Sequence, residues 1–319
     1  MHKVLITGAS GFIGKEVVRQ LVAAGRPVRV ALRDGCARDD FNSSVEVVET
    51  GHIDGKTLWH KALAGIDQII HLASHVHQPG TGPEIFACVN VQGTEHLARM
   101  ALAAGVTRLV YVSSVKAQGE TTYGSPMWES DPLAPEDAYG CSKRDAELAL
   151  KKVACDTTLE FSIIRPTLVY GPNAVGNLQR LMALVARGLP LPFGALQNRR
   201  SLVDVETLAD LCIRCLDHPA ARNEIFLAAD DAPISTTKLL KCLAAGLDIT
   251  PLLFPFSGSA LRFAGRLLRR RDAMTRLLGS LEVDATKART YLDWPSRASS
   301  EAGLVKMARE FRARGGHAR

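Results

Sequence analysis

Aromatic residues and long apolar runs are both scarce in this chain. Aromatics make up 6% of its 319 residues, too few to favour stacking on nucleic-acid bases, so we expect no nucleic-acid partner. No apolar run reaches the ~18 residues that cross a bilayer. The first residues, HKVLITG, resemble a strand and not a signal peptide. The seven cysteines are odd in number and scattered, which does not fit a disulfide framework. These absences predict a soluble protein of the reducing cytoplasm.

The remaining composition is that of a large folded protein with an excess of basic residues. Hydrophobic residues make up 46% of the chain and charged residues 23%. A chain of this length can bury a large core without a metal or a disulfide, and its length corresponds to about two domains. The net charge of +6 and the pI of 9.0 favour anionic partners in general.

Short apolar runs alternate with longer segments of helical period in the first half of the sequence. The runs predict strands at 3–7, 28–32, 45–50, 68–72, 108–113 and 160–165, and the segments between them predict helices at 11–24, 57–63, 89–104 and 138–154. Parallel strands that are buried on both faces are nearly all apolar, as Val4 to Ile6 are. The pattern predicts an α/β fold with a Rossmann-like, doubly wound parallel sheet.

A glycine-rich segment, TGASGFIG at residues 7–14, joins the first predicted strand to the first predicted helix. Glycines permit a tight turn there and let backbone N–H groups approach a pyrophosphate, whose charge the helix N-terminus stabilises. A structural turn would also explain three glycines. The strand before them and the amphipathic helix after them favour dinucleotide binding.

The end of the second predicted strand bears on the choice between NAD and NADP. An acid about 20 residues after the glycines holds the ribose 2′-hydroxyl of NAD, but Leu32 stands at that position and Arg33 follows. A guanidinium can pair with a 2′-phosphate, so Arg33 favours NADP(H). NAD(H) stays open as the alternative, with Asp34 serving after a shift of one residue.

The pattern changes after Arg165, where proline-rich loops and helices follow without regular strands. We therefore expect residues 1–165 to form the dinucleotide-binding domain. Residues 166–200 and 231–319 are expected to form a smaller, mostly helical substrate-binding region. The stretch 201–230 is expected to return a helix and a strand to the sheet.

Tyr139 and Lys143 are four residues apart and therefore lie on one face of the predicted helix 138–154. A cationic neighbour lowers the pKa of a phenol and makes it a usable proton donor or acceptor near neutral pH. Isolated pairs of this kind usually decorate a solvated helix. This one follows a dinucleotide loop and a strand that ends at Ser114, whose hydroxyl could orient a substrate carbonyl.

Eight motifs along the chain resemble those of one enzyme family. They are TGASGFIG (7–14), HLAS (71–74), NVQGT (90–94), VSSVK (112–116), YGCSK (139–143), RPTLVYGP (165–172), RRSLVDVETLADL (199–211) and DATKARTYLDW (284–294). As a set they resemble the extended short-chain dehydrogenase/reductase family, in its branch of nucleotide-sugar 4-epimerases, dehydratases and 4-ketoreductases. The resemblance covers essentially the whole chain.

The resemblance implies a catalytic triad of Ser114, Tyr139 and Lys143. Tyr139 would protonate the C4 carbonyl oxygen of a sugar as hydride arrives from the nicotinamide, while Ser114 hydrogen-bonds that oxygen. Lys143 would hold the nicotinamide ribose and lower the pKa of Tyr139. Besides Tyr139 and Lys143, the implied cofactor contacts are Gly8, Gly11, Phe12, Ile13, Gly14, Arg33, Ile53, Leu72, Ala73, Ser74 and Asn90.

The resemblance also implies residues for the nucleotide diphosphate of a UDP-linked sugar. Besides Ser114 at the sugar, these are Asn177, Leu191, Phe193 and Arg200, with Arg276 as a candidate for a second arginine. Phe193 would pack on uracil, and Arg200 would hold the pyrophosphate bidentately.

Two departures from the family pattern limit the prediction. Val115 and Lys116 stand where the dehydratases carry an Asp-Glu pair, which argues against dehydration. His52 stands before Ile53 in place of the acid that usually contacts adenine, which leaves adenine recognition open.

The favoured function is an NADP(H)-preferring reductase of a UDP-4-keto-6-deoxy-hexosamine in surface polysaccharide biosynthesis. Two alternatives stay open. One is a UDP-sugar 4-epimerase with tightly bound NAD, and the other is a non-catalytic NADP-binding regulatory protein, against which the intact triad argues. The resemblance also implies a homodimer through helices 89–104 and 138–154, although their apolar faces could equally pack internally.

Three further patterns have ordinary explanations that we prefer. His71, His75 and His77 are read as core or loop histidines, with no metal site expected. Cys212 and Cys215 lie in a helical pattern, where packing explains them. The arginines of Arg262–Arg271 form a basic amphipathic stretch, which is either a solvated helix face near the diphosphate site or, less favoured, a contact to an anionic membrane.

Overall fold

Two parallel sheets, one large and one small, contain the strands that the computed structural model describes. The strands are β1 (Val4–Thr7), β2 (Val28–Leu32), β3 (Val45–Glu49), β4 (Gln68–His71), β5 (Arg108–Val112), β6 (Glu160–Pro166), β7 (Leu168–Tyr170), β8 (Leu202–Asp204) and β9 (Glu224–Ala228). The large sheet has seven strands in the order β3-β2-β1-β4-β5-β6-β9, and β7 pairs with β8. The structure describes residues 2–33, 35, 40–76, 82–257, 261, 275, 277–297 and 299–315.

The strand order of the large sheet reverses between β1 and β4. β1 pairs with β2 on one side and with β4 on the other, and all seven strands run parallel. The helices that follow β1 and β4 therefore lie on opposite faces of the sheet, and a crevice lies between the carboxyl ends of these two strands. Open α/β sheets bind ligands at such a reversal.

Helices cover both faces of the large sheet, and further helices pack with β7 and β8. They are α1 (Phe12–Ala23), α2 (His60–Leu63), α3 (Pro83–Phe86), α4 (Gly93–Ala103), α5 (Ala138–Ala154), α6 (Asn177–Ala186), α7 (Val205–Asp217), α8 (Thr236–Leu247), α9 (Thr286–Leu292) and α10 (Glu301–Ala313). A π-helical turn, Ala87–Gln92, joins α3 to α4 without a break, and a 3₁₀ turn, Val115–Ala117, follows β5.

Three apolar clusters account for the packing. One lies between the sheet and helices α1, α7 and α9, and a second lies between the opposite face of the sheet and helices α2, α4 and α5. Strands β1, β2, β4 and β5 are buried along their whole length, as expected for a parallel sheet that is covered on both faces. The third cluster joins α6, α8 and α10 to β7 and β8, and we call these five elements and the loops between them the second lobe.

The predicted sheet is confirmed, and the six predicted strands match β1 to β6 within a residue or two at each end. Three local predictions are wrong. The helix expected at 89–104 begins earlier, at Pro83, and contains the π-helical turn. The helix expected at 57–63 is the single turn α2. A regular strand, β7, occurs directly after β6, because the β8 segment returns beside it and pairs with it.

Several predictions fall on residues outside those described. They concern Asp34, His77, the basic stretch Arg262–Arg271 and the candidate diphosphate ligand Arg276. Within the described ranges, none of the helices combines the length and apolarity that a membrane span requires.

Candidate active site

The glycine-rich loop between β1 and α1 leaves no room for a side chain at Gly8 or at Gly14. Gly8 has a φ of +72°, and a Cβ atom there would lie 2.7 Å from the backbone nitrogen of Ala73. A Cβ atom on Gly14 would overlap the carbonyl oxygen of Gly8 and lie 2.7 Å from the Cα atom of Ala9. Gly11 is the N-cap of α1 and donates its N–H to the Gly8 oxygen at 3.0 Å. The loop therefore has the close backbone packing that a dinucleotide-binding turn requires.

The end of β4 packs directly against this loop. Leu72 donates its N–H to the Thr7 carbonyl at 3.2 Å, and Ala73 donates its N–H to the Thr7 hydroxyl at 3.3 Å. Leu72, Ala73 and Ser74 are partly exposed. The segment after β4 therefore forms a second wall beside the glycines, where the predicted cofactor contacts 72–74 lie together.

Four other predicted cofactor residues surround the loop and the neighbouring strand ends. Phe12 and Ile13 open α1 and are partly exposed. Ile53 is 8% exposed and packs closely against Gly93, where an added Cβ atom would lie 2.8 Å from the Ile53 Cγ2 atom. Arg33 directly follows β2 and is exposed. What these side chains contact in a complex stays a prediction.

Asn90, another predicted cofactor contact, has a structural role in the site. It is fully buried in the π-helical turn, and its Oδ1 atom accepts from the His75 N–H at 2.7 Å and from the Ser74 hydroxyl at 3.1 Å. Its Nδ2 atom donates to the His75 carbonyl at 3.0 Å and to the Ser142 Oγ atom at 2.9 Å. These four bonds use the whole capacity of the amide. Asn90 therefore ties the 74–75 loop to α5, and its contact with a cofactor stays a prediction.

The first turn of α5 carries Tyr139, and Ser114 and Ser74 lie close enough to its hydroxyl for hydrogen bonding to act on its pKa. Asp137 caps this helix, because its Oδ1 atom accepts from the Gly140 N–H at 2.7 Å. The phenol, the Ser114 hydroxyl and the 72–74 wall therefore meet at the carboxyl ends of β4 and β5.

Lys116 holds the Ser114 turn against the start of α5. Its Nζ atom is 2.6 Å from Asp137 Oδ2 and 2.7 Å from Glu120 Oε1, and its backbone N–H donates to Ser114 Oγ at 3.2 Å. Because Asp137 also caps α5, this lysine links the serine side of the site to the tyrosine side. The residue that departs from the dehydratase pattern is thus part of the scaffold of the site.

Lys143 is buried one helical turn after Tyr139, with a side chain that is 2% exposed. Its Nζ atom donates to the Val112 carbonyl at 2.9 Å and to the Tyr111 hydroxyl at 3.2 Å, and it lies 5.9 Å from the centre of the Tyr139 ring. Desolvation lowers the pKa of Lys143 to about 7, against a weaker upward influence of the Glu147 carboxylate. This ammonium can therefore gain or lose its proton near neutral pH.

The net shift of the Tyr139 pKa is upward, opposite to the lowering that we expected from Lys143. Desolvation raises the pKa of Tyr139 to about 12, and its hydrogen bonds to Ser114 and Ser74 counteract that effect only in part. A buried phenol without a fully charged cation in contact keeps its proton at neutral pH. Tyr139 is therefore set to donate a proton.

A buried ion pair supports α5 one turn further on. Glu147 is fully buried and pairs with Arg165, whose Nη2 atom is 2.7 Å from Glu147 Oε2. The Ser113 hydroxyl donates to Glu147 Oε1 at 2.5 Å, and Gln118 accepts from Arg165 Nη1 at 3.0 Å. Removal of one partner from such a pair strongly destabilises a protein, because the other charge is left buried and unpaired. The intact pair therefore fixes α5 against β5 and β6.

The predicted substrate residues lie in the second lobe. Asn177 is exposed at the first turn of α6. Leu191 and Phe193 are 8% and 6% exposed and pack in the lobe's apolar cluster. A uracil base could therefore meet only the exposed edge of Phe193. Arg200 is partly exposed and donates to the Gly279 carbonyl at 3.0 Å. Their contacts to a nucleotide stay predictions.

The packing interpretation is confirmed for His71 and for two cysteines. His71 is a core residue whose ring nitrogens contact the Thr7 hydroxyl at 2.6 Å and the Thr94 hydroxyl at 2.9 Å. Cys212 and Cys215 are fully buried in the packed face of α7. Among the described residues, no group of three His, Cys, Asp or Glu side chains could hold a metal ion.

Comparison with known proteins places this geometry in a family. A model of the NAD dependent epimerase/dehydratase family matches residues 4–229. The chain belongs to this family. A UDP-glucose 4-epimerase of Vibrio cholerae is 36% identical over 318 residues, which are 97% of this chain and 95% of that protein. The resemblance found in the motifs is thereby confirmed, and so is the prediction of an enzyme of the epimerase/dehydratase type.

Solved structures of the same fold cover nearly the whole chain. WbmG of Bordetella bronchiseptica, in complex with NAD, has a TM-score of 0.79 at 18% identity and is matched over 99% of this chain and 96% of its own. A UDP-glucose 4-epimerase of Thermotoga maritima, with UDP-glucose, has a TM-score of 0.76 at 23% identity, over 98% and 99% of the two chains. The architecture thus extends through the second lobe.

The glycine packing predicts that Gly14→Ala disrupts the loop. The added methyl group would overlap the backbone of residues 8 and 9, and overpacking of this kind destabilises a fold by about 1–3 kcal/mol. We expect a lower melting temperature and weaker dinucleotide affinity, measured by thermal unfolding and titration. Gly55→Ala is the matched control, because its Cβ atom would lie 3.6 Å from the Gln92 side chain in ordinary contact. Wild-type stability and affinity in Gly14→Ala would contradict the assignment.

The burial of Lys143 predicts a pH-dependent stability. Its pKa is about 7 in the folded chain, below the ordinary lysine value of 10.5, so between these values the unfolded chain binds more protons. The free energy of unfolding therefore rises with pH in this window, by up to about 1.4 kcal/mol per unit.

Lys143→Met should remove that slope, as measured by urea unfolding between pH 7 and 8.5. Lys152→Met, at an exposed lysine of the same helix, should keep it. Equal slopes in wild type and Lys143→Met would show that this ammonium is not desolvated.

Proposed function

We propose that the chain is a UDP-sugar 4-epimerase. The observation that carries the proposal is the meeting of Tyr139, Ser114 and the buried Lys143 beside the glycine loop, at the reversal of the sheet. The similarity to the Vibrio cholerae epimerase over nearly the whole of both chains supports the same reaction. Dehydration is disfavoured, since Lys116 engages Asp137 and Glu120 where an Asp-Glu pair would be needed.

The residues present fit a dinucleotide. The backbone of Gly8 and Gly14 forms a cradle that Cβ atoms would fill, and the N-terminus of α1 favours a pyrophosphate there. The walls 8–14 and 72–74 would hold the cofactor, and Lys143 would hold its nicotinamide ribose. When bound, the nicotinamide supplies the hydride acceptor and donor for C4.

The proton at the sugar would be handled by Tyr139. In the oxidising direction its phenolate takes the proton of the C4 hydroxyl, and in the reducing direction its phenol returns that proton to the C4 oxygen. Ser114 donates a hydrogen bond to the same oxygen, and the Lys143 ammonium stabilises the phenolate. The Tyr139 pKa of about 12 favours the protonated phenol, so a protonated Lys143 is needed for the first step.

A 4-ketoreductase that uses NADP(H) is the second candidate, and Arg33 is the observation that favours it. Its guanidinium is exposed directly after β2, where it could pair with a 2′-phosphate. NAD is the cofactor named for WbmG, and we propose NAD for this chain in the epimerase role. The homodimer, the cytoplasmic location and the division at residue 165 stay predictions from the sequence.

Cofactor stoichiometry separates the two candidates. With UDP-glucose or UDP-galactose, the epimerase is expected to interconvert the two sugars with no net change in absorbance at the reduced-nicotinamide band. Given a UDP-4-keto-sugar in a parallel sample, a reductase would consume one NADPH for each keto-sugar reduced. Products are measured by chromatography and the cofactor by absorbance in the same sample. Stoichiometric oxidation of NADPH without epimerisation would replace the first proposal by the second.

Loss of the phenol hydroxyl is expected to stop proton transfer in either reaction. Tyr139→Phe should lower turnover by ~10²–10⁴-fold and leave dinucleotide affinity within a few-fold of wild type. Tyr123→Phe, at a tyrosine that is 89% exposed, is the control and should keep full turnover. Unchanged turnover in Tyr139→Phe would exclude this residue as the proton donor.

A further inference from the structure

The ammonium of Lys143 is held by groups that carry no charge. Its two hydrogen-bond acceptors are the Val112 carbonyl at 2.9 Å and the Tyr111 hydroxyl at 3.2 Å. Tyr111 is 1% exposed, and the ammonium also lies 4.7 Å from the centre of its ring. The role proposed for Lys143 leaves Tyr111 unexplained, because a phenylalanine would fill the same space in the core.

A chain of buried hydrogen bonds continues from the Tyr111 hydroxyl. Thr94 on α4 is close enough to the Tyr111 hydroxyl for hydrogen bonding to act on the Tyr111 pKa. The Thr94 hydroxyl lies 2.9 Å from Nε2 of His71 at the end of β4. Nδ1 of His71 lies 2.6 Å from the hydroxyl of Thr7 at the end of β1. His71 also stacks on the Tyr111 ring, with 5.5 Å between the ring centres. Four side chains from β5, α4, β4 and β1 are thus joined in series.

The protonation of these groups allows the hydrogen bonds to run in one direction. Burial lowers the pKa of His71 to about 3, so the ring is neutral and has one donor and one acceptor nitrogen. Burial raises the pKa of Tyr111, so its hydroxyl keeps its proton. The charged Lys143 can only donate to Tyr111. In the tautomer that carries the His71 proton on Nδ1, Tyr111 donates to Thr94, Thr94 donates to Nε2 of His71, and Nδ1 donates to Thr7. With that tautomer, every dipole in the series presents its negative end toward the ammonium, which strengthens each bond.

Other charged groups near Lys143 do not replace this contact. Glu147 follows it by one turn of α5, but its carboxylate pairs with Arg165 and accepts from Ser113. Tyr139, on the same helix, and His71 are neutral at working pH. The Tyr111 hydroxyl is therefore the side-chain atom in direct contact with the ammonium among the described residues.

We propose that Tyr111 is a positioning residue that holds Lys143 in its charged form beside Tyr139, with Thr94 and His71 orienting the Tyr111 hydroxyl. The inference rests on the proposed function, in which the ammonium stabilises the Tyr139 phenolate. Removal of the hydroxyl in Tyr111→Phe keeps the ring and its stacking, but takes a hydrogen bond from the charged form of Lys143. A bond of that kind shifts a pKa by about one unit.

The first test measures this contact without any enzyme activity. Unfolding in urea is compared for wild type, Tyr111→Phe, Lys143→Met and the double variant, at pH 5.5 and at pH 8.5. The coupling is the factor by which the double variant's unfolding equilibrium constant departs from the product of the two single effects. This factor should be about tenfold larger at pH 5.5, where the ammonium is charged, than at pH 8.5. Coupling that is equal at the two pH values would overturn the proposal.

The second test follows catalysis. Tyr111→Phe should move the decline of kcat at high pH to lower pH by about one unit, because the ammonium loses its proton earlier. Thr94→Val, which removes the acceptor of the Tyr111 proton, should shift it in the same direction, and Thr94→Ser should restore the wild-type profile. An unshifted decline in both Tyr111→Phe and Thr94→Val would also overturn the proposal.

Tyr170→Phe is the matched control, since it removes another buried tyrosine hydroxyl, one that donates to Asp230 at 2.7 Å. It should lower stability without pH-dependent coupling to Lys143→Met and without moving the pH profile. If the coupling depends on pH as expected but no UDP-sugar is converted, the contact of Tyr111 with Lys143 stands and the proposed function fails.

Discussion

The structure of the site depends on the burial of one lysine. An ammonium removed from water needs partners within hydrogen-bond distance, and Lys143 finds them on β5, the strand that ends two residues before Ser114. Because Lys143 and Tyr139 share α5, the same contact fixes the phenol in relation to the serine. Burial also leaves the lysine with a pKa of about 7, so its charge responds to small changes in its surroundings.

Several independent bonds hold α5 in the orientation that this lysine needs. Asp137 caps the first turn and is paired with Lys116, so the start of the helix is tied to the loop after β5. Further along, the buried pair of Glu147 and Arg165 joins the helix to β6. The two anchors lie on opposite sides of Tyr139 and Lys143 along the chain. The proposed catalytic couple is therefore held from both directions by charged side chains.

The sequence predicted the parts of the structure that follow from local pattern. Apolar runs located β1 to β6, and the glycine spacing located the turn before α1, because both signals depend on neighbouring residues. The roles of Asn90 and Lys116 could not be read in this way. The partners of Asn90 lie 15 to 52 residues away in the sequence, and the side-chain partners of Lys116 lie 4 to 21 residues away. Only the folded chain brings them together. The pKa of Tyr139 was misjudged because spacing reveals a charged neighbour but not the desolvation that opposes it.

The close approach of Gly8 to the segment after β4 has an evolutionary consequence. A side chain at position 8 would meet the backbone of Ala73, not a movable side chain, so no compensating substitution at position 73 could relieve the overlap. Homologues should then retain this glycine even where the neighbouring residues that we predict to contact the cofactor have changed. Changes of dinucleotide preference would have to arise at the rim of the crevice, at positions such as 33, and not at its floor.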